Sequence, residues 1–353
     1  MFDCTFTFKY GNNCSAFSVI HILRRVKVMV ESVKVGNVQA EPGTKKTGYL
    51  TIRDLNGYGL EIPVMIINGV KKGPVLSVTA GVHPCEYTGI ETIMRLYARL
   101  DPRELSGTVI AVPIVNVPGF QARSAYVNPI DGLNMNRIFP GDPSGTISYV
   151  MADVLFKEVV MKSNCLIDLH GGDLPEENLD FVIVEKTGKK EVDKASEDIG
   201  RAFNPEYMWI KGAAAGGLKI EGALCSAANA AGIPGAVPEA GMAAKVQESC
   251  VKFLLDGILN AMKQLKMMDG TPRIKEPKII KAQHVVKCKS AGFFTPTVKL
   301  GDIVSKGSII GRIRNPFGEV VEEVKSPING VFDFLMYHSS VLPGNALMII
   351  GEL

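Results

Sequence analysis

The chain has 353 residues, of which 46% are hydrophobic and 21% charged, with a formal net charge of +3. That is enough chain for two domains or one large one, and the composition is that of an ordinary globular protein. So small a net charge, without long basic runs or basic–aromatic interleaving, argues against nucleic acid or a membrane surface as partner. No run of 18 apolar residues predicts a membrane span.

The cysteines, Cys4, Cys14, Cys85, Cys165, Cys225, Cys250 and Cys288, are scattered and never spaced Cys-x-x-Cys. This pattern reads as a reduced, cytoplasmic protein. Residues 1–28 mix aromatic, polar and basic residues around a short apolar patch at 17–23. A signal peptide places its charge ahead of its apolar core and ends in small residues; this segment does the reverse. It reads as a translated extension ahead of Met29 or a loosely attached arm.

From Met29 to Val70 the alternation of Tyr49, Thr51 and Ile52, then Leu60, Ile62, Val64 and Ile66, predicts two or three strands with turns at Asn56-Gly57 and Asn68-Gly69. Residues 74–82 form a β-branched strand. Ile90, Ile93, Met94, Leu96, Tyr97 and Leu100 have helical spacing. Another apolar strand covers 107–116, and a long Pro/Gly/Asn-rich loop covers 118–145, a length that is usually functional or disordered. Helices are expected over 147–161, 191–203, 222–231 and 245–265, and strands over 165–169, 181–185 and 236–239. This alternation predicts an α/β fold, a mixed sheet with helices on both faces.

Residues 267–281 read as a linker. The catalytic domain is expected over 29–270, the linker proper over 271–281, and a small all-β domain over 282–353. That last segment contains an internal echo. Val304-Ser305-Lys306-Gly307 recurs 37 residues on as Val341-Leu342-Pro343-Gly344, and Gly292-Phe293-Phe294 recurs 38 residues on as Gly330-Val331-Phe332. Two similar halves of a β-sandwich are implied.

The chemistry concentrates in Gly81-Val82-His83-Pro84-Cys85-Glu86 and in Ile167-Asp168-Leu169-His170-Gly171-Gly172, whose His170 lies 84 residues after Glu86. A strand end presents His83, and the first helical turn presents Glu86. With His170 they make a two-His, one-carboxylate zinc set that leaves one coordination position for water. Alone, His-x-x-Glu is better explained by a core-edge histidine and a helix N-terminal glutamate favoured by the dipole; His170 at a second strand end changes that balance. Asp168 reads as the partner that orients a ligating imidazole. Cys85 reads as a small buried filler. Asn136 and Arg137, in the long loop, suit a substrate carboxylate, because arginine gives two parallel charge-assisted bonds. Glu239, at another strand end, is placed to be a general base. Ligands of such sheets bind beyond the carboxyl ends of strands, where His83, His170 and Glu239 all fall.

GVHPCE, GLNMNRIFPG, DLHGGD and PEAG, in that order between about 60 and 265, resemble the succinylglutamate desuccinylase/aspartoacylase family of the zinc carboxypeptidase superfamily. The resemblance implies a zinc carboxypeptidase-like α/β fold and one Zn2+ held by His83, Glu86 and His170. It also implies a substrate-carboxylate pair in Asn136 and Arg137 and a catalytic glutamate in Glu239. The family's second arginine has no positional match, and Arg123 is the nearest candidate; Tyr126 and Tyr149 are candidates for the superfamily's substrate-closing tyrosine. Pro-Cys-Glu after the first histidine departs from the usual family pattern. The tail resembles a biotinyl/lipoyl-type half-barrel. Its expected hairpin tip, Asn315-Pro316-Phe317-Gly318-Glu319, lacks a lysine, and Lys325 lies off it. This argues for a domain that caps the site or joins copies in a homo-oligomer, and against a swinging-arm carrier. The implied function is a zinc-dependent deacylase of small N-acyl amino acids or similar amides. The rivals are a metallocarboxypeptidase acting on peptides and a non-catalytic binding protein on the same fold.

Overall fold

A computed structural model describes residues 30–53, 57, 59–212, 221–336 and 338–353. The expected N-terminal extension and the turn residue Asn56 lie outside these residues. A small hairpin, β1 (Val33–Val35) and β2 (Val38–Ala40), leads into β3 (Thr44–Arg53), β4 (Gly59–Asn68) and β5 (Lys71–Ala80). There follow α1 (Tyr87–Arg99), β6 (Ser106–Val112), α2 (Val117–Ala122), a single 3-10 turn at Met135–Arg137, α3 (Ile147–Glu158) and β7 (Cys165–Leu169). Next come β8 (Glu176–Asn178), β9 (Phe181–Glu185), α4 (Lys190–Ala202), β10 (Tyr207–Lys211), α5 (Leu224–Ala230), β11 (Gly235–Glu239), α6 (Glu248–Gln264) and β12 (Lys278–Ile280).

Nine of these strands form one mixed sheet in the order β12-β10-β9-β11-β7-β5-β6-β4-β3. β11, β7, β5 and β6 run parallel, while β9 opposes β11 and β4 opposes β6. The parallel strands are nearly continuous apolar runs because both faces are covered. In β7, Cys165, Ile167 and Leu169 pack with Ile93 and Leu96 of α1 and Leu254 and Ile258 of α6, whereas Leu166 packs with Met151 and Leu155 of α3 on the other face. Each such side chain contributes roughly 1.5–3 kcal/mol by leaving water. Ile93→Ala opens a cavity in the first layer at a cost of roughly 2–5 kcal/mol.

The C-terminal chain forms β13 (Ala282–Lys287), β14 (Gly292–Pro296), β15 (Ile303–Val304), β16 (Ile309–Arg314), β17 (Val320–Lys325), β18 (Gly330–Met336), β19 (Ser340–Val341) and β20 (Ala346–Glu352). Two sheets result, β13-β20-β18-β15 and β17-β16-β14-β19, packed over a common core of Phe294, Ile310, Ile313, Phe332 and Met348. The sequence echo appears as β14, β15 and β16 repeated in β18, β19 and β20. The copies exchange their short strands, β15 pairing with β18 and β19 with β14. The Asn315–Glu319 tip joins β16 to β17.

Several local expectations differ from the structure. Residues 30–70 hold four strands, β1 to β4, rather than two or three. The long loop contains α2 and the 3-10 turn, and the helix begun at Ile147 ends at Glu158. β8 and β10 were not foreseen. β8 is Glu-Glu-Asn, with no strand propensity, and it becomes a strand by pairing with β18. The last residues of the expected linker form β12, which adds to the sheet beside β10, because Ile279 and Ile280 find apolar partners there.

Candidate active site

β11, β7 and β5 are neighbours and run parallel, so their carboxyl ends lie side by side. His83 follows β5, His170 follows β7 and Glu239 ends β11; His170 and Glu239 pair through a β-bridge. The two chains touch just beyond, since a Cβ on Gly171 would lie 2.1 Å from the Ala240 carbonyl oxygen. Glu86, the residue ahead of α1, turns back to the same point.

The Glu86 carboxylate sits between both imidazoles. Oε1 is 2.6 Å from His83 Nδ1, and Oε2 is 2.9 Å from His170 Nδ1; the Gly171 amide also donates to Oε2, at 3.2 Å. His170 Nε2 lies 3.1 Å from Asp168 Oδ2, and Thr79 Oγ1 donates to Asp168 Oδ1 at 2.6 Å. A carboxylate at Asp168 can only accept, so a proton sits on His170 Nε2. His170 Nδ1 faces a Glu86 carboxylate oxygen at 2.9 Å, so a proton or a metal ion lies between them. Among the described residues, His83, Glu86 and His170 form the group whose ligand atoms all lie within 4.8 Å of one another. His83 Nε2 is buried without a partner in that set. The donor set therefore fits a divalent cation such as zinc, with room for a further ligand.

The electrostatics show the same demand for positive charge beside Glu86. Burial pushes the Glu86 carboxyl up, but His83 and His170 outweigh it and hold it at about 2. Burial pulls the His170 imidazole down, and Glu86 and Asp168 drive it well above its ordinary value. Burial pushes the Glu239 carboxyl well up, with Glu86, Glu176 and Asp168 adding to this and His170 opposing it.

These residues open into a cavity of about 270 Å³. Asn136 and Arg137 line it with Glu239, His83, Glu86 and His170. Asn136 Oδ1 accepts from the Leu224 amide at 3.0 Å, and Arg137 Nη1 donates to the Asn136 carbonyl at 2.7 Å. Gly222, at φ +68°, approaches the Arg137 carbonyl so closely that an added Cβ would lie 2.1 Å from its oxygen. Tyr126 also lines the cavity. Its ring meets that of His83 edge-on, and its hydroxyl donates to Glu176 Oε1 at 2.8 Å. Burial, with Glu86 adding, raises the Glu176 carboxyl to about 7. Tyr149 is not among the lining residues.

Arg123 stands apart from this group. It caps α2 in the left-handed conformation and borders a shallow depression with Tyr87, Met94 and Val246. Sequence reasoning missed Glu176, Glu185, Trp209 and Lys211, and the side chains that the C-terminal strands bring to the cavity. The alternation of Trp209 and Lys211 along β10 was the only local signal.

A family profile, the succinylglutamate desuccinylase/aspartoacylase catalytic domain, matches residues 72–265. The chain belongs to this family. An N-alpha-acetyl-L-2,4-diaminobutyric acid deacetylase of Halomonas elongata is 28% identical over 298 residues, spanning 82% of this chain and 85% of that one. A product-bound ectoine utilization protein from Ruegeria pomeroyi superposes with a TM-score of 0.78 at 22% identity, covering 87% of this chain and 94% of that one. A succinylglutamate desuccinylase/aspartoacylase from Rhodobacter sphaeroides gives 0.75 at 25% identity, over 87% and 95%. Family membership supports an amide-cleaving hydrolase. No helix among the described residues is long and apolar enough to cross a membrane.

Proposed function

We propose that this protein is a zinc-dependent deacylase that cleaves the linear amide of a small N-acylated amino acid or a close analogue, in the cytoplasm. The observation that carries this reading is the meeting of His83, Glu86 and His170 with a fourth residue, the carboxylate Glu239, at adjacent strand ends in one cavity. His83, Glu86 and His170 would hold the ion, with Asp168 fixing the tautomer of His170. A bound zinc supplies a Lewis acid that polarises the scissile carbonyl and acidifies the attacking water. Glu239 takes the proton of that water and returns it to the amine nitrogen as the C–N bond breaks. Asn136 and Arg137 anchor the substrate carboxylate and so fix the carbonyl in reach of Glu239. Arg123, outside the cavity, takes no part. The C-terminal strands roof the cavity, which disfavours long peptides.

The test is amine release from N-acetyl, N-succinyl and N-formyl amino acids by protein stripped with chelator and then given zinc. Zinc-restored turnover supports the reading. One zinc bound per chain with no turnover on any member would move the assignment to peptides or another amide. No zinc bound would remove its basis.

A further inference from the structure

An α-amino acid carries its carboxylate and its side chain on one carbon, so the space beside a carboxylate anchor receives the side chain. Here the proposed anchor and the far end of the cavity are held by one segment. Asn136 Oδ1 accepts from the Leu224 amide at 3.0 Å, and the Phe139 amide donates to the Gly222 carbonyl at 2.9 Å. Two residues beyond Leu224, in the first turn of α5, Ser226 donates to Glu185 and accepts from Lys211 at 3.2 Å; Lys211 and Glu185 are themselves paired at 3.2 Å. From there back to Glu239 the register of β11, β9 and β10 sets the cavity side chains in rows: Glu185 and Lys211, then Val237, Ile183 and Trp209, then Glu239 beside Phe181. Rows on one face are two residues apart, so the outer two lie about 13 Å from each other along the strand. The middle row is wholly apolar, and Val285, Phe334 and Met348 of the C-terminal strands line the same cavity.

We infer that this apolar strip takes the side chain of the amine half, and that the substrate is an N-acyl derivative of an amino acid with a large uncharged side chain. This inference rests on the deacylase reading and sharpens it. With the carboxylate on Asn136 and Arg137 and the amide nitrogen toward Glu239, the side chain leaves the α-carbon along the strip. The acyl carbon lies on the other side of the nitrogen, at the candidate metal ligands. A charged side chain would set its carboxylate or ammonium in the middle row without a partner, which is costly, or against a Glu185–Lys211 pair whose charges already offset each other. An alkyl or aromatic side chain instead leaves water with each carbon it buries. Val237, Ile183 and Trp209 on the sheet and Val285 on the roof thus determine which amine fits.

Trp209, the only tryptophan in the chain, is 2% exposed and lines the strip, so its emission reports occupancy without any turnover. The experiment uses the full chain in two arms. In the first, metal-free protein is titrated with N-acetylglycine, N-acetylnorleucine, N-acetylglutamate and N-hexanoylglycine while Trp209 emission is followed. In the second, zinc-loaded protein is assayed on the N-acetyl derivatives of alanine, norvaline, norleucine, glutamate and lysine, alongside N-acetyl-, N-butanoyl- and N-hexanoylglycine. The expected result is an emission change with N-acetylnorleucine alone. kcat/KM is expected to rise about fourfold per side-chain methylene from alanine to norleucine, at ~0.8 kcal/mol each. The glutamate and lysine derivatives are expected to fall about tenfold or more below norleucine. Val285→Phe narrows the strip from the roof and Ile183→Phe from the sheet; each is expected to bring the norleucine-to-alanine ratio of kcat/KM toward one, a ratio that does not depend on how much of the variant folds. A parental ratio near one, a preference for the glutamate or lysine derivative, or a rise with acyl length instead overturns the inference and leaves the deacylase reading standing. So does a rise with side-chain length that leaves Trp209 silent, since the side chain then lies elsewhere. An emission response confined to N-acetylnorleucine, without turnover on any amide, supports the strip and sinks the deacylase reading.

Discussion

Asp333 offers a test of how the cavity roof is built. It is fully buried on β18, Gln283 Nε2 donates to its Oδ2 at 2.6 Å, and Oδ1 has no partner among the described residues. Burial raises its carboxyl from an ordinary value of 3.8 to about 7, with Gln283 opposing. A carboxyl raised on folding holds its proton more tightly in the native than in the unfolded chain. Its contribution is therefore most favourable below pH 4, declines as pH rises from about 4 to 7, and is a constant penalty above that. At 1.36 kcal/mol per tenfold change in proton affinity the penalty is about 4 kcal/mol. Asp333→Asn copies the shape of the protonated acid and keeps an acceptor for Gln283, so the variant should be only about 1 kcal/mol more stable than the parent at pH 4.5 and about 4 kcal/mol more stable at pH 8. Urea unfolding read through Trp209 measures this, because Trp209 packs in one cluster with Val331 of the same strand. Stability curves for the two proteins that run parallel from pH 4.5 to 8 would refute the reasoning, since Asp333 would then ionise without penalty. The effect bears on function because Gln283 itself lines the cavity.

Asp168→Ala frees His170 to adopt the other tautomer and should weaken zinc binding 10- to 100-fold; a competition titration against a zinc-chelating dye reads it, and an unchanged Kd would mean that Asp168 does not set the ligand. Glu239→Gln should lower kcat on the best amide by roughly 10²- to 10⁴-fold, with one zinc per chain retained; near-normal turnover would remove Glu239 from the chemistry. Gly171→Ala would set a methyl against the Ala240 carbonyl, and neither backbone can yield cheaply. Loss of bound zinc, with a lowered melting temperature, is the expected outcome, and a variant with parental zinc content would show that the strand ends can part.

What could be read from the sequence was whatever is carried by a local pattern. His83-Pro84-Cys85-Glu86 states its own geometry, a strand end followed by the start of a helix. The apolar run Cys165–Leu169 has the same bounds in the structure. That His83, His170 and Glu239 each end a strand was legible; that β5, β7 and β11 are adjacent and parallel was not, because pairing between strands some 70 to 90 residues apart leaves no mark on any one of them. The same reason hid Glu176. Its strand, β8, is polar and exists through β18, which lies more than 150 residues further on. Arg123 was picked by its position in the chain alone, and the left-handed turn that caps α2 carries it to the neighbouring depression.

The division between the legible and illegible parts follows the division of labour in the site. The candidate metal ligands and Glu239 sit at strand ends and one helix start, where backbone hydrogen bonds such as His170 N to Pro238 O and Ala240 N to His170 O fix their spacing. Such positions suit bond-making, which tolerates little displacement. The wall opposite is assembled from a second body, two sheets locked by the exchange of β15 and β19 and fastened beside the site by β8 on β18. Val285, Phe334 and Met348 lie on strands separate from those that carry the candidate metal ligands and Glu239, so substitutions there can change what fits while the proposed reacting groups keep their own scaffold. A fold built this way is free to change its substrate by changing Val285, Phe334 or Met348 while His83, Glu86, His170 and Glu239 stay as they are. On the proposed reading, the motifs around those four residues mark the reaction, and the substrate has to be sought on the roof.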